Sequence, residues 1–170
     1  MRISLIRVDD RLIHGQVAVG WTQALGIEQI LVADDTVASD DTKKHLVLMA
    51  TPAGVVSDAL SIEDSAAVVA ASSSDVPTMV LVRGPKELAA LHAAGLPMET
   101  VNIGNVHTAP DRVRLTKEVH ATEDEIEIWR KLAKAGVRLE AQWLPGSPVT
   151  DLARVALAQT EQSSNAEQRG

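Results

Sequence analysis

The chain has 170 residues, 45% of them hydrophobic, with no cysteine, phenylalanine or tyrosine and a formal net charge of −7. That is enough chain for one domain with a proper core, while the missing cysteines exclude disulfides, thiolate metal sites and thiol catalysis. An acidic chain whose only aromatics are Trp21, Trp129 and Trp143 repels phosphate backbones and offers no platform for stacked bases, so no nucleic-acid partner is expected.

Short runs rich in Val and Ile alternate with helical patterns along the sequence. The first run, Arg2 to Val8, gives way to a helix with Val17, Trp21, Ala24 and Leu25 on one face. Trp21 is expected to pack that helix on a sheet. The run Gln29 to Ala33 leads into Asp34-Asp35, which suits either the rim of a site or the cap of a helix near Asp40. A helix over Asp40 to Ala50 stops before Pro52. After the run Gly54 to Leu60, Ser61-Ile62-Glu63-Asp64 has the form of a capping box. Pro77 to Val82 is followed by Pro85-Lys86-Glu87-Leu88, with proline at a first helical turn. The runs Thr100 to Ile103 and Arg112 to Leu115 come next. Thr122-Glu123-Asp124-Glu125 is a second capping box, opening a helix whose Ile128, Trp129, Leu132 and Ala133 share a face and which Gly136 ends. The last run is Val137 to Leu144, and Pro148 to Leu157 is expected to form a short final helix. Near-continuous apolar strands alternating with helices imply a mainly parallel sheet covered on both faces. Residues 1–158 read as one domain and 159–170 as a polar, fraying tail. No stretch has the apolar run of a signal peptide or the ~20 apolar residues of a membrane span, and a cytoplasmic location is expected.

The chemistry concentrates between the first strand and the first helix, in Arg7-Val8-Asp9-Asp10-Arg11-Leu12-Ile13-His14-Gly15-Gln16-Val17. Ligands of open parallel sheets bind at the carboxyl ends of strands. A neutral imidazole is a good nucleophile near neutral pH. A phosphoryl group on His14 would meet the backbone N–H groups at the helix start near Gly15 and Gln16, with Gly15 allowing close approach. Arg7 and Arg11 supply permanent, forked positive charges. Asp9 or Asp10 is suited to orient the second imidazole nitrogen, and spacing does not choose between them. By spacing alone, an ordinary charged loop with a surface histidine explains these residues equally well.

This long motif, with Trp21 after it, closely resembles the opening of the IIB components of the mannose/fructose/sorbose family of the bacterial phosphoenolpyruvate-dependent sugar phosphotransferase system. The resemblance continues through Ile30-Leu31-Val32-Ala33-Asp34-Asp35-Thr36-Val37-Ala38-Ser39-Asp40, Met49-Ala50-Thr51-Pro52-Ala53-Gly54-Val55 and Val101-Asn102-Ile103-Gly104. It covers roughly residues 1 to 158. It implies a three-layer αβα fold with a mainly parallel sheet of about seven strands. It implies a phosphotransferase with a phosphohistidine intermediate on His14, attached at Nδ1. Arg7 and Arg11 would lie beside the phosphoryl group. The donor would be a separate phospho-IIA protein, and the acceptor a sugar held by the membrane components IIC and IID. The protein would then associate peripherally with the transporter, and the scheme needs no metal or organic cofactor. One departure is Asn105, where the family often has a second glycine.

Asp35 and His107 are candidate rim residues, although an exposed loop position is the simpler reading of His107. His45, His92 and His120 have no partners at metal spacing. No Gly-x-Gly-x-x-Gly or Walker-type loop follows the first strand, which disfavours a nucleotide enzyme. Two alternatives stand beside sugar transfer. One is a regulatory phosphoacceptor of the same fold, and the other a non-enzymatic module that binds a phosphometabolite.

Overall fold

The computed structural model describes residues 1–156 and 158. The elements run β1 (Arg2–Asp9), α1 (Gly15–Leu25), β2 (Gln29–Ala33), α2 (Asp35–Ala38), α3 (Asp41–Leu48), β3 (Val56–Leu60), α4 (Ile62–Ala71), β4 (Pro77–Val82), α5 (Pro85–Ala93), β5 (Thr100–Asn105), β6 (Val113–Arg114), β7 (His120–Ala121), α6 (Glu123–Lys134), β8 (Arg138–Ala141) and β9 (Thr150–Asp151). Seven strands form one sheet in the order β3-β2-β4-β1-β5-β8-β9. All its pairings are parallel except that of the edge strand β9 with β8. The three-layer αβα class and the sheet of about seven strands are as expected.

The two-residue period of a strand divides the core into two layers. In β1 and β4, Ile6, Val8, Val80 and Val82 pack with Leu88, Leu91, Ile126 and Trp129 under α4, α5 and α6. Met79 and Leu81 point the other way, among Val17, Ala18, Trp21 and Val37 under α1 and α2. Strands buried on both faces need apolar residues at nearly every position, which explains their unbroken Val/Ile runs. The chain leaves β1 toward α1 on one face and leaves the neighbouring β4 toward α5 on the other. Loops that diverge in this way open a crevice at the carboxyl edge, in the centre of the sheet.

Local chemistry sets the helix ends. Thr122 Oγ1 accepts from Glu125 N at 3.2 Å, and Glu125 Oε2 accepts from Thr122 N at 3.0 Å, completing the capping box. Ser61 Oγ accepts from Asp64 N at 3.0 Å, and Pro85 occupies the first turn of α5.

Three expectations need correction. The run Arg112 to Leu115 is not a member of the main sheet. Its central pair forms a two-stranded antiparallel sheet with His120–Ala121, and the seventh place in the main sheet belongs to β9. A strand that short cannot span the layer, so its alternating apolar residues serve a hairpin instead. The final helix does not begin at Pro148. Thr150–Asp151 first pairs with Glu140 and Ala141, and the helical residues among those described are 152–156 and 158. Asp34 and Asp35 cap helices other than the one near Asp40, as Asp34 Oδ1 takes Val37 N at 2.9 Å in α2 and Asp35 Oδ1 takes Ile62 N at 2.8 Å in α4. Asp40 caps α3 itself. The boundary at 158–159 and the tail 159–170 lie outside the described residues.

Removing the cap hydroxyl in Thr122→Ala should cost about 1 kcal/mol. Urea unfolding should show a lower midpoint with an unchanged slope.

Candidate functional site

Asp9 ends the central strand, and the next five residues carry the chain to α1. Beneath them lies a buried ion pair. Arg7 is 1% exposed and Asp9 is 0% exposed, with Arg7 Nη2 donating to Asp9 Oδ2 at 2.8 Å. Arg7 Nη1 donates to Asn102 Oδ1 and, at 3.1 Å, to the Gln142 carbonyl. The guanidinium also sits 5.5 Å from the Trp21 ring centroid, at cation–π distance. Burial pushes the Arg7 pKa below its ordinary value, and the Asp9 carboxylate acts in the opposite direction. A guanidinium still holds its charge under such a shift.

This buried cation explains the Asn102-Ile103-Gly104 motif. A Cβ on Gly104 would lie 1.8 Å from Arg7 Nη2. The β1–β5 register also jumps there, from Val8 opposite Ile103 to Asp9 opposite Asn105. Asn102 supplies an acceptor and Gly104 supplies room.

The other oxygen of Asp9 faces the loop. Asp9 Oδ1 accepts from Arg11 N at 3.3 Å and lies 3.7 Å from both Arg11 Nε and His14 Nδ1. His14 is the N-cap of α1, in an extended conformation (φ −154°, ψ 135°), and its side chain makes no cap bond. The first intrahelical amide, Ala18 N, bonds His14 O at 3.2 Å, so the amides of Gly15, Gln16 and Val17 form the open first turn. Gly15 and Gln16 are exposed. The His14 Nδ1 is 2.8 Å from the Leu12 carbonyl. A carbonyl only accepts, so Nδ1 carries the ring proton. Nε2 is buried without a partner among the described residues. Leu12 reaches this position with φ +56°, a left-handed conformation rare for a branched residue.

The structure thus brings together Asp9, Arg11, His14, Gly15 and Gln16. Arg7 lies below them, its terminal nitrogens engaged within the protein. The physical reason is its register, since residue 7 of β1 points into the α1 layer. Asp9 is the carboxylate beside His14, while Asp10 turns away to accept from Asn105 Nδ2 at 2.8 Å and from His107 N at 2.7 Å. His107 therefore joins the loop network, whereas Asp35 serves the start of α4. Sequence reasoning missed Arg83, whose Nη1 donates to the Asp10 carbonyl at 3.1 Å. Its only signal was its place just after an apolar run. That β4 lies next to β1 emerges only from the sheet order.

A central parallel strand, a histidine at the N-cap position, an open helix start and a neighbouring arginine make this end of the sheet a candidate anion site in an α/β domain. The family model for the PTS system sorbose subfamily IIB component matches residues 3–168, and the chain belongs to that family. It is 34% identical over 156 residues to the fructose-specific EIIB component of Bacillus subtilis strain 168, covering 91% of this chain and 96% of that protein. It is 31% identical over 153 residues to the sorbose-specific EIIB component of Klebsiella pneumoniae, covering 89% and 93%. The solved IIB domain of the Klebsiella pneumoniae sorbose permease superposes with a TM-score of 0.86 at 30% identity, over 94% of this chain and 98% of that one. The chain is thus a IIB component, a phosphotransferase of the bacterial sugar phosphotransferase system, in a family whose IIB domains work with IIA and membrane components. Among the described residues, no helix is long and apolar enough to cross a membrane.

Replacing Gly104 by Ala should drive Arg7 from its pocket and leave the Asp9 carboxylate buried without its cation. The expected cost is about 3–5 kcal/mol, measured as a lower midpoint in urea unfolding.

Proposed function

We propose that His14 accepts a phosphoryl group from phospho-IIA and passes it to a sugar held by the IIC and IID membrane components. The observation that carries this reading is the position of His14. It caps α1 at the carboxyl end of the central strand, beside Arg11 and the open amides of Gly15 and Gln16.

In the first transfer an imidazole lone pair of His14 forms the new N–P bond as the bond to the donor histidine breaks. In the second, a sugar hydroxyl oxygen attacks the same phosphorus, His14 leaves, and the hydroxyl proton is released. The protein supplies position and charge stabilisation. The Arg11 side chain is 41% exposed, so it can meet the phosphoryl oxygens, and the helix dipole adds to its field. Arg7 acts one step back. It holds Asp9, and Asp9 steers Arg11 and His14.

Attachment at Nδ1, the nitrogen implied by the family resemblance, requires a prior step. The ring must leave the Leu12 carbonyl, and its proton must move to Nε2. Among the described residues the buried Nε2 has no acceptor for that proton, so the exchange carries a cost that contacts to the arriving phosphoryl group must offset. The protein acts in the cytoplasm, docking peripherally on the membrane components that hold its acceptor.

Incubation with phosphoenolpyruvate, the upstream enzymes and IIA should place acid-labile phosphate on His14, seen by mass spectrometry. A His14→Ala variant that labels normally would refute the assignment. Replacing Arg11 by Met should cost about 2–4 kcal/mol of transition-state stabilisation, by analogy with other preorganised donors. Arg11→Lys should recover only part of it, because a point charge lacks the guanidinium fork. The measurement is the rate of His14 labelling by rapid quench.

A further inference from the structure

We infer that Arg83, Asn105 and His107 are positioning residues for phosphoryl transfer, acting on His14 by clamping Asp10 from both sides of the central strand. The inference rests on the proposed role of His14. The clamp itself is a matter of geometry.

Asp10 is the first residue of the loop that follows β1. On the β5 side, its amide donates to the Asn105 carbonyl at 3.1 Å. Asn105 Nδ2 donates to Asp10 Oδ1 at 2.8 Å. The other carboxylate oxygen accepts from His107 N at 2.7 Å and contacts the His107 ring at Nδ1. On the β4 side, Arg83 Nη1 donates to the Asp10 carbonyl at 3.1 Å. The backbone and side chain of Asp10 are thus held from both neighbouring strands.

Each jaw is anchored in the body of the protein. Arg83 Nε donates to Asp34 Oδ2 at 2.8 Å, and Asp34 is buried while its other oxygen caps α2. The His107 carbonyl accepts from Arg112 Nη1 at 2.9 Å. Arg112 in turn forks onto Glu125, through Nε at 3.1 Å and Nη2 at 2.7 Å. Glu125 is the buried acid of the α6 capping box. The loop is therefore suspended between two helix N-termini on opposite sides of β1.

Only Arg11, Leu12 and Ile13 separate Asp10 from His14. A rotation at Asp10 displaces Arg11 and, through the Leu12 backbone beneath it, tilts the His14 ring, so guanidinium and imidazole lose their common aim at the phosphorus. Misplacement of a reacting group by about 1 Å costs on the order of a hundredfold in rate. Three groups converging on one aspartate guard against that loss. Asn105 has a chemical reason to replace glycine here, because its amide reaches Asp10 and a glycine has nothing to offer.

The test compares wild type with Arg83→Met, Asn105→Gly and the double variant, all with thermal midpoints measured first. Rapid-quench labelling by phospho-IIA gives the maximal rate and the half-saturating donor concentration. The expected result is a maximal rate lowered about tenfold in each single variant and more in the double, with half-saturation unchanged within about twofold. ¹⁵N NMR of the unphosphorylated His14 ring should show sharp signals of one ring geometry in wild type and shifted, broadened ring signals in the variants. Unchanged maximal rates and ring spectra overturn the inference. A raised half-saturating concentration with an unchanged maximal rate also overturns it, since it would make Arg83 and Asn105 contacts for the donor protein. Asn105→Gly, at a half-buried position, decides the matter should Arg83→Met fail to fold. A wild-type protein that takes no phosphoryl on His14 sinks the functional reading instead, and the ring spectra still decide the clamp.

Discussion

The buried contact between Arg7 and Asp9 is the constraint on which the loop depends. Each charge is costly to remove from water, and the pair is tolerable because Arg7 donates three hydrogen bonds and both Asp9 oxygens accept, although Arg7 Nε has no partner among the described residues. Arg7 reaches Asp9, Asn102 and the Gln142 carbonyl, and lies near the Trp21 ring. Those contacts draw on β1, β5, the segment after β8 and α1. Four parts of the chain are thus fixed relative to one carboxylate, and the free oxygen of that carboxylate faces Arg11 and His14. Interior rigidity is passed outward to a loop that would otherwise be mobile.

Above this base the fold supplies what the loop lacks. A parallel sheet delivers the chain to its carboxyl edge, and α1 begins there with amides that no residue of its own can satisfy. The net charge of the chain is −7, yet the loop presents a guanidinium and a helix start. Local field, not net charge, governs what such a site attracts. The arginines divide the labour. Arg11 is half in solvent, Arg7 is buried on Asp9, and Arg83 ties the loop to a neighbouring strand.

Much of this was legible in the sequence. Strands buried on both faces advertise themselves as Val/Ile runs, and capping boxes mark helix starts, so Gln29–Ala33, Pro77–Val82 and α6 emerge at or near their observed bounds. The loop carrying His14 was legible because a strand pattern meets a helix pattern there. The direction of Arg7 was not. Its neighbours in sequence belong to the loop, and only the pleat, with Ile6 and Val8 facing one layer, sends its side chain into the other. Arg83 and the Asn105–His107 corner were illegible for a different reason. They come from strands distant in sequence that flank β1 only in the folded order β4-β1-β5. The short strand Thr150–Asp151 carries no apolar pattern at all, since it is an exposed edge.

In the proposed reading Arg7 supports the site from below, and Arg11, Gly15 and Gln16 hold the phosphoryl group. The most direct measurement is a crystal structure of the phosphorylated protein, kept at alkaline pH where phosphohistidine survives. The expected result is phosphorus on His14, oxygens on Arg11 and on the amides of Gly15 and Gln16, and Arg7 still bound to Asp9 and Asn102. A structure in which Arg7 abandons Asp9 to bind the phosphoryl group would contradict the claim.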